Sequence, residues 1–255
     1  MGVFPSLPPD YQSWTFPGGA AAARGDVAAP VRAALESAGS LYRWAAAQPE
    51  REVFLGRGEA YGVRLAQTAA VVRHARRGGA VAPLLGDWYA GTPRVVRELE
   101  MSGRLAEREI PTPAVLAGVV YRAGLGHRAD VATQRIEGVD LATAFFGERP
   151  MEPADRHAVL HRLGVLVRRL HAAGFVHPDL QLRNVLAGRP AGAPLRLYLL
   201  DVDTCRQVGP LAHAAHRRNL DRFARSWAKW NRAHGSRLVR EDWERFDSAY
   251  RGEDS

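Results

Sequence analysis

The 255-residue sequence has one cysteine, Cys205, and one lysine, Lys229. A single thiol excludes an intramolecular disulfide and any thiolate metal cluster built from one chain. Cys205 follows an acidic pair with no base beside it in sequence, so a plain structural role is expected. With lysine nearly absent, the positive charge is carried by arginine: 35 basic residues stand against 27 acidic ones, for a formal net charge of +8. Long apolar runs are also missing. The apolar stretches, such as residues 69–72 and 195–200, fall far short of the roughly 20 residues that cross a bilayer as a helix. Neither end has the charged-then-apolar layout of a secretory signal, and the chain reads as cytoplasmic.

What is present is ordinary for a globular protein, with 46% hydrophobic residues, enough to bury a real core in one large domain or two packed lobes. The positive balance favours contact with anions, whether nucleotide phosphates, nucleic acid or an acidic membrane surface, without choosing among them. A coding bias towards arginine and alanine accounts for it equally well.

Residues 1–30 are rich in Pro, Gly and Ala and show no sustained period, which predicts a loosely packed arm. A helix is expected over 30–47. Short apolar runs separated by Gly56, Gly58 and Gly62 then suggest hairpin strands between 52 and 75. Residues 92–107 read as a helix with Thr92 as cap and Pro93 in the first turn. The Pro111-Thr112-Pro113 run stops it, and extended segments follow near 114–121 and 131–136. The second half begins with a long helix at Pro153, whose Val159, Leu163, Leu166 and Leu170 form one buried stripe. Gly174 ends it. A loop over 176–186 and an apolar strand over 195–200 come next, and helix returns from 217 to 234. In that last helix Arg218, Arg222, Arg225, Lys229 and Arg232 recur at steps of three and four and form one basic stripe opposite Leu220, Phe223, Trp227 and Trp230.

The chemistry-bearing segment is His177-Pro178-Asp179-Leu180-Gln181-Leu182-Arg183-Asn184, followed by Asp201-Val202-Asp203 at the end of the apolar strand. Taken alone, Asp179 or Asp201 is better explained by a turn or a helix cap. Together they supply what phosphoryl transfer from ATP requires: a carboxylate near the incoming hydroxyl, and oxygen ligands for a divalent metal. Asp179 suits the first role, Asn184 and Asp201 the second. His177 reads as a brace for the loop or the strand-end acid.

This segment resembles the catalytic loop of protein kinases, with Asp201 in the place of their metal-binding aspartate. Further stretches resemble the bacterial lipopolysaccharide kinases: Arg73-His74-Ala75-Arg76-Arg77-Gly78-Gly79, Leu84-Leu85-Gly86-Asp87-Trp88-Tyr89, Arg97-Glu98-Leu99, and Thr133-Gln134-Arg135-Ile136-Glu137-Gly138. The likeness covers about residues 52–232. It implies an α+β, two-lobed protein-kinase-like fold with an N-lobe over 31–137 and a C-lobe over 138–255. It also implies ATP and Mg2+ as cofactors, Asp179 as the catalytic carboxylate, Asn184 and Asp201 as metal ligands, and Glu98 bracing Arg73, which stands where protein kinases carry lysine. Gly56, Gly58, Arg73 and Glu137 are the implied nucleotide contacts, although Gly56-x-Gly58-x-x-x-Gly62 departs by one residue from the usual glycine spacing. Asp203 stands where protein kinases have glycine and is read either as metal assistance or as local bonding. Gln181 in place of a loop lysine points away from a protein substrate.

The acceptor implied by the likeness is a glycolipid of the 3-deoxy-D-manno-octulosonic acid (Kdo)–lipid A type, phosphorylated at the Kdo 4-hydroxyl. The enzyme would sit peripherally against the anionic cytoplasmic face of the inner membrane, with no nucleic acid as partner. A core heptose kinase, another small-molecule kinase and a basic pseudokinase acting as a binding module remain as alternatives.

Overall fold

The computed structural model describes residues 3–55, 58–75, 91, 93–188 and 194–253. The chain divides into two compact units, 1–104 with 113–135, and 105–112 with 136–255.

The first unit is built on a seven-stranded antiparallel sheet. Its strands are β1 (Tyr11–Phe16), β2 (Gly19–Arg24), β3 (Glu52–Leu55), β4 (Glu59–Leu65), β5 (Thr68–His74), β6 (Val115–Ala123) and β7 (Gly126–Gln134), in the order β1-β2-β6-β7-β5-β4-β3. The hairpin strands expected between 52 and 75 are β3 to β5. Helices α1 (Gly25–Ala38), α2 (Leu41–Ala46) and α3 (Arg94–Ala106) belong to the same unit. Thr92, expected to cap α3, lies outside the described residues. Pro93 sits just before the helix and accepts from Val96 N at 3.0 Å.

The loose arm expected over residues 1–30 is instead two strands and the start of α1. The alanines explain why the sequence concealed it. Strand β2 lies inside the sheet, between β1 and β6. Ala21 and Ala23 face a core with Val27, Val31 and Leu116, while Ala20 and Ala22 face another with Val95, Leu99 and Val120. A strand covered on both faces has no polar alternation to reveal it.

One buried carboxylate ties this unit together. Asp130 on β7 has no exposed surface and accepts from Ser40 Oγ (2.9 Å), Tyr42 N (2.9 Å) and Tyr121 Oη (2.7 Å), with His74 Nδ1 at 2.5 Å. Such a charge is tolerated in a core only when its lone pairs are met in this way. Burial, then the neighbouring Asp130 charge, push the Tyr121 phenol well above its ordinary pKa.

In the second unit, α4 (Leu141–Phe146) is followed by α5 (Pro153–Ala172), α6 (His213–His234) and α7 (Arg240–Arg251). Val159, Leu163, Leu166 and Leu170 are buried, as the stripe on α5 predicts. The helix passes so close to α7 that a Cβ at Gly164 would collide with the Phe246 carbonyl oxygen. Gly174, at φ +82°, turns the chain out of α5. The loops that matter for function are carried by two small sheets. β9 (Phe175–Val176) pairs with β12 (Arg206–Gln207), while β10 (Val185–Gly188) lies between β8 (Gly138–Asp140) and β11 (Arg196–Leu199).

Candidate active site

Strand β9 delivers the chain to His177, and the segment from there to the 3-10 turn at Leu182–Asn184 is held from beneath by α6. Asn219, on the buried side of that helix, accepts from His177 N at 3.0 Å and donates Nδ2 to His177 O at 2.5 Å. The same Oδ1 accepts from His171 Nε2 at 3.0 Å, and His171 Nδ1 meets Tyr250 Oη at 2.9 Å. Ser226, two turns further along α6, accepts from Leu182 N at 3.3 Å. The His177 ring is fully buried and donates Nε2 to Leu200 O at 2.8 Å. Burial pushes its pKa below the ordinary histidine value, so the imidazole is neutral and acts as a brace between the loop and the residue preceding Asp201.

Asp179 projects from this loop, with its side chain 35% exposed. Its Oδ2 accepts from Gln181 Nε2 at 3.0 Å and Asn184 Nδ2 at 3.1 Å, and its backbone oxygen accepts from Asn184 Nδ2 at 2.8 Å. Its Oδ1 accepts from Arg222 Nη2 at 2.7 Å, and the same Nη2 reaches Gln181 Oε1 at 3.2 Å. The basic stripe expected on α6 is therefore not uniform. Arg222 turns to the loop carboxylate, Arg218, Arg225, Lys229 and Arg232 stay exposed, and the exposed acid Asp221 stands on the stripe's flank.

Pairing of β10 with β11 sets Val185 opposite Leu199, and Leu200 N donates to Asn184 O at 2.9 Å. The two proposed metal ligands, Asn184 and Asp201, thus flank one backbone hydrogen bond. Asp201 adopts the left-handed conformation, φ 54° and ψ 41°, a region Asp enters more readily than most residues. This turns the chain sharply at the strand end and leaves the residue exposed. Asn184 directs its amide nitrogen at Asp179, and among the described residues nothing donates to its Oδ1. A free amide oxygen and an exposed carboxylate are the oxygen donors that magnesium takes, with water and phosphate completing its shell. The residues present fit that ion, although no group of three or more His, Cys, Asp or Glu suited to a metal occurs among the described residues. Asp203 lies in the 3-10 turn Val202–Thr204 that follows. Cys205 is buried, and burial followed by the Asp203 charge pushes its thiol pKa up, which leaves it unreactive.

In the first unit, Arg73 on β5 and Glu98 on α3 meet as the sequence implied. Arg73 Nη2 lies 2.6 Å from Oε1 and 2.7 Å from Oε2 of Glu98, which is 4% exposed. Gly58 immediately precedes β4, whereas Gly56 lies outside the described residues, as do residues 76–79 and 84–89 of the family-like stretches. Glu137 is exposed just before β8 and makes no hydrogen bond to Asp179, Asn184 or Asp201.

Sequence reasoning missed Asn219 and placed Arg222 on the basic surface stripe. The signal for both was faint: Asn219, Arg222 and Ser226 follow one another at steps of three and four, a polar edge beside the apolar face of α6.

A sheet-based unit with an Arg–Glu brace and a helical unit carrying Asp179, Asn184 and Asp201 define a two-lobed, protein-kinase-like α+β fold. The model of the lipopolysaccharide kinase (Kdo/WaaP) family matches residues 44–250, and the chain belongs to that family. Among its relatives are 3-deoxy-D-manno-octulosonic acid kinases of Stenotrophomonas maltophilia, 34% identical over 201 residues and 76% of each chain, and of Xylella fastidiosa, 34% identical over 200 residues with the same coverage. The Xanthomonas oryzae pv. oryzae kinase of that name is 33% identical over 202 residues, again 76% of each chain. A solved structure of WaaP in complex with acyl carrier protein shares the fold, with a TM-score of 0.53 at 19% identity over 79% of this chain and 78% of that one.

Proposed function

We propose that this protein transfers the γ-phosphoryl group of ATP to the 4-hydroxyl of a Kdo residue on lipid A during lipopolysaccharide core synthesis. The observation that carries the reading is the Asp179–Asn184–Asp201 constellation in a chain whose family match covers residues 44–250. The named activity of the relatives supports the acceptor. Asp179 orients the sugar hydroxyl and accepts its proton late in the transfer, while Arg73, held by Glu98, positions phosphate oxygens. Magnesium, held by Asn184 Oδ1 and the Asp201 carboxylate, would offset charge on the nucleotide phosphates. Gly56, Gly58 and Glu137 complete the proposed nucleotide contacts. The exposed Arg218, Arg225, Lys229 and Arg232 support a peripheral contact with the anionic inner face of the membrane that holds the acceptor. No helix among the described residues is long and apolar enough to cross a membrane.

The test is transfer of radiolabelled γ-phosphate to defined Kdo–lipid A and to heptosylated core acceptors, with and without Mg2+. Magnesium-dependent labelling of Kdo–lipid A is expected. Labelling confined to heptose would replace the proposed acceptor, and no labelling of either glycolipid would remove the sugar kinase reading.

A further inference from the structure

Arg222 places a cation against the reacting carboxylate and commits only part of its bonding capacity there. Both of its contacts, to Asp179 Oδ1 at 2.7 Å and Gln181 Oε1 at 3.2 Å, come from Nη2. Among the described residues Nη1 and Nε have no partner, although the side chain is only 29% exposed. The planar guanidinium has five N–H donors, and those on Nη1 and Nε, on either side of the engaged Nη2, can each give one charge-assisted bond to an anion. Asp179 is asymmetric in the same sense. Oδ2 already accepts two hydrogen bonds, from Gln181 and Asn184, whereas Oδ1 accepts only from Arg222. A hydroxyl approaching Asp179 therefore finds its free lone pair on Oδ1, the oxygen that Arg222 holds while its Nη1 and Nε donors stay unspent.

We infer that Arg222 is an acceptor-binding, specificity-determining residue that recognises an anionic group carried next to the hydroxyl being phosphorylated. Resting on the proposed function, this makes Arg222 the side chain that reads the charge of the acceptor. Kdo bears its carboxylate on a ring carbon two bonds from the carbon holding the 4-hydroxyl, so one sugar presents hydroxyl to Asp179 and carboxylate to Arg222. A neutral heptose would leave the Nη1 and Nε donors desolvated without an anion to pair with, a penalty that discriminates against it. Gln181, through Nε2 to Asp179 and Oε1 to Arg222, keeps the two side chains in register without adding a charge to compete for the sugar.

The experiment compares a Kdo methyl glycoside with its methyl ester as acceptors, using wild type, Arg222→Gln and Arg222→Lys. Wild type is expected to use the free acid about 10- to 100-fold better in kcat/KM, the scale of a charge-assisted pair, with most of the difference in the acceptor KM. Arg222→Gln should bring that ratio close to one and leave the ATP KM unchanged, and Arg222→Lys should retain part of the preference. Because the readout is a ratio within each variant, a partly unstable protein still answers it. Equal use of acid and ester by wild type, or an unchanged ratio in Arg222→Gln, overturns the inference while leaving Kdo phosphorylation in place. If wild type labels a heptosylated acceptor and neither Kdo compound, the functional reading fails and takes this inference with it.

Discussion

Asn219→Ala removes a buried side chain that fastens the start of the catalytic loop to α6. Asn219 is 3% exposed. Its loss strands two donors, His177 N–H and His171 Nε2–H, and one acceptor, His177 O, where water does not reach. Each buried group left without a partner costs about 1–3 kcal/mol. The three share one neighbourhood and are not additive, so a destabilisation of about 3–5 kcal/mol is expected, a large part of the reserve of about 5–15 kcal/mol that folded proteins hold. At about 2–4 °C per kcal/mol for a protein of this size, melting should fall by about 6–20 °C. The activity loss should exceed what the unfolded fraction explains, because His177 also sets the position of Leu200 and hence Asp201. Scanning calorimetry gives the melting shift, and kcat measured well below the transition gives the activity loss. Melting within about 2 °C of wild type with unchanged kcat would refute the view that this network positions the loop.

Asp179→Asn should leave Mg·ATP binding near normal and lower kcat by about 100-fold or more, since it keeps the shape and removes the proton acceptor; single-turnover kinetics at saturating substrates will show it. Asp201→Ala should abolish the Mg2+ dependence of ATP binding in titration calorimetry, whereas Arg73→Ala should keep that dependence and weaken affinity. Burial lowers the His171 pKa from 6.5 to about 4, so between those values the unfolded chain binds more protons and stability falls as pH drops, by on the order of 3 kcal/mol across the window. Urea midpoints from pH 7 to pH 4.5 should follow that slope, and His171→Gln should flatten it. Replacing Arg218, Arg225, Lys229 and Arg232 with glutamine should weaken sedimentation with anionic liposomes at least about tenfold at low salt, with a difference that shrinks as salt rises. Equal binding would leave these residues as a solvated face.

The parts of this molecule legible in sequence are those whose pattern is local. The α5 stripe repeats at helical spacing over 12 residues, from Val159 to Leu170, and the segment from His177 to Asn184 carries its chemistry within eight consecutive positions. What stayed hidden depends on residues far apart. The Arg222–Asp179 bond joins positions 43 apart and the Asp130–Ser40 bond positions 90 apart, and no periodicity foretells either. Strand β2 failed for a different reason. Its alanines are small because both faces are buried, and a run of small apolar residues next to Gly and Pro is indistinguishable in sequence from a loose arm.

The central claim, that Asp179 serves transfer to the Kdo 4-hydroxyl, is tested most directly by locating the phosphate on the product. Wild type should be incubated with Mg·ATP and Kdo–lipid A, and the released sugar phosphate read by phosphorus–proton correlation NMR, with Asp179→Asn run in parallel. The account predicts a phosphomonoester coupled to the proton on the Kdo carbon bearing the 4-hydroxyl, formed by wild type and nearly absent with Asp179→Asn. A phosphate coupled to any other position, or product formed equally well by the variant, would contradict it.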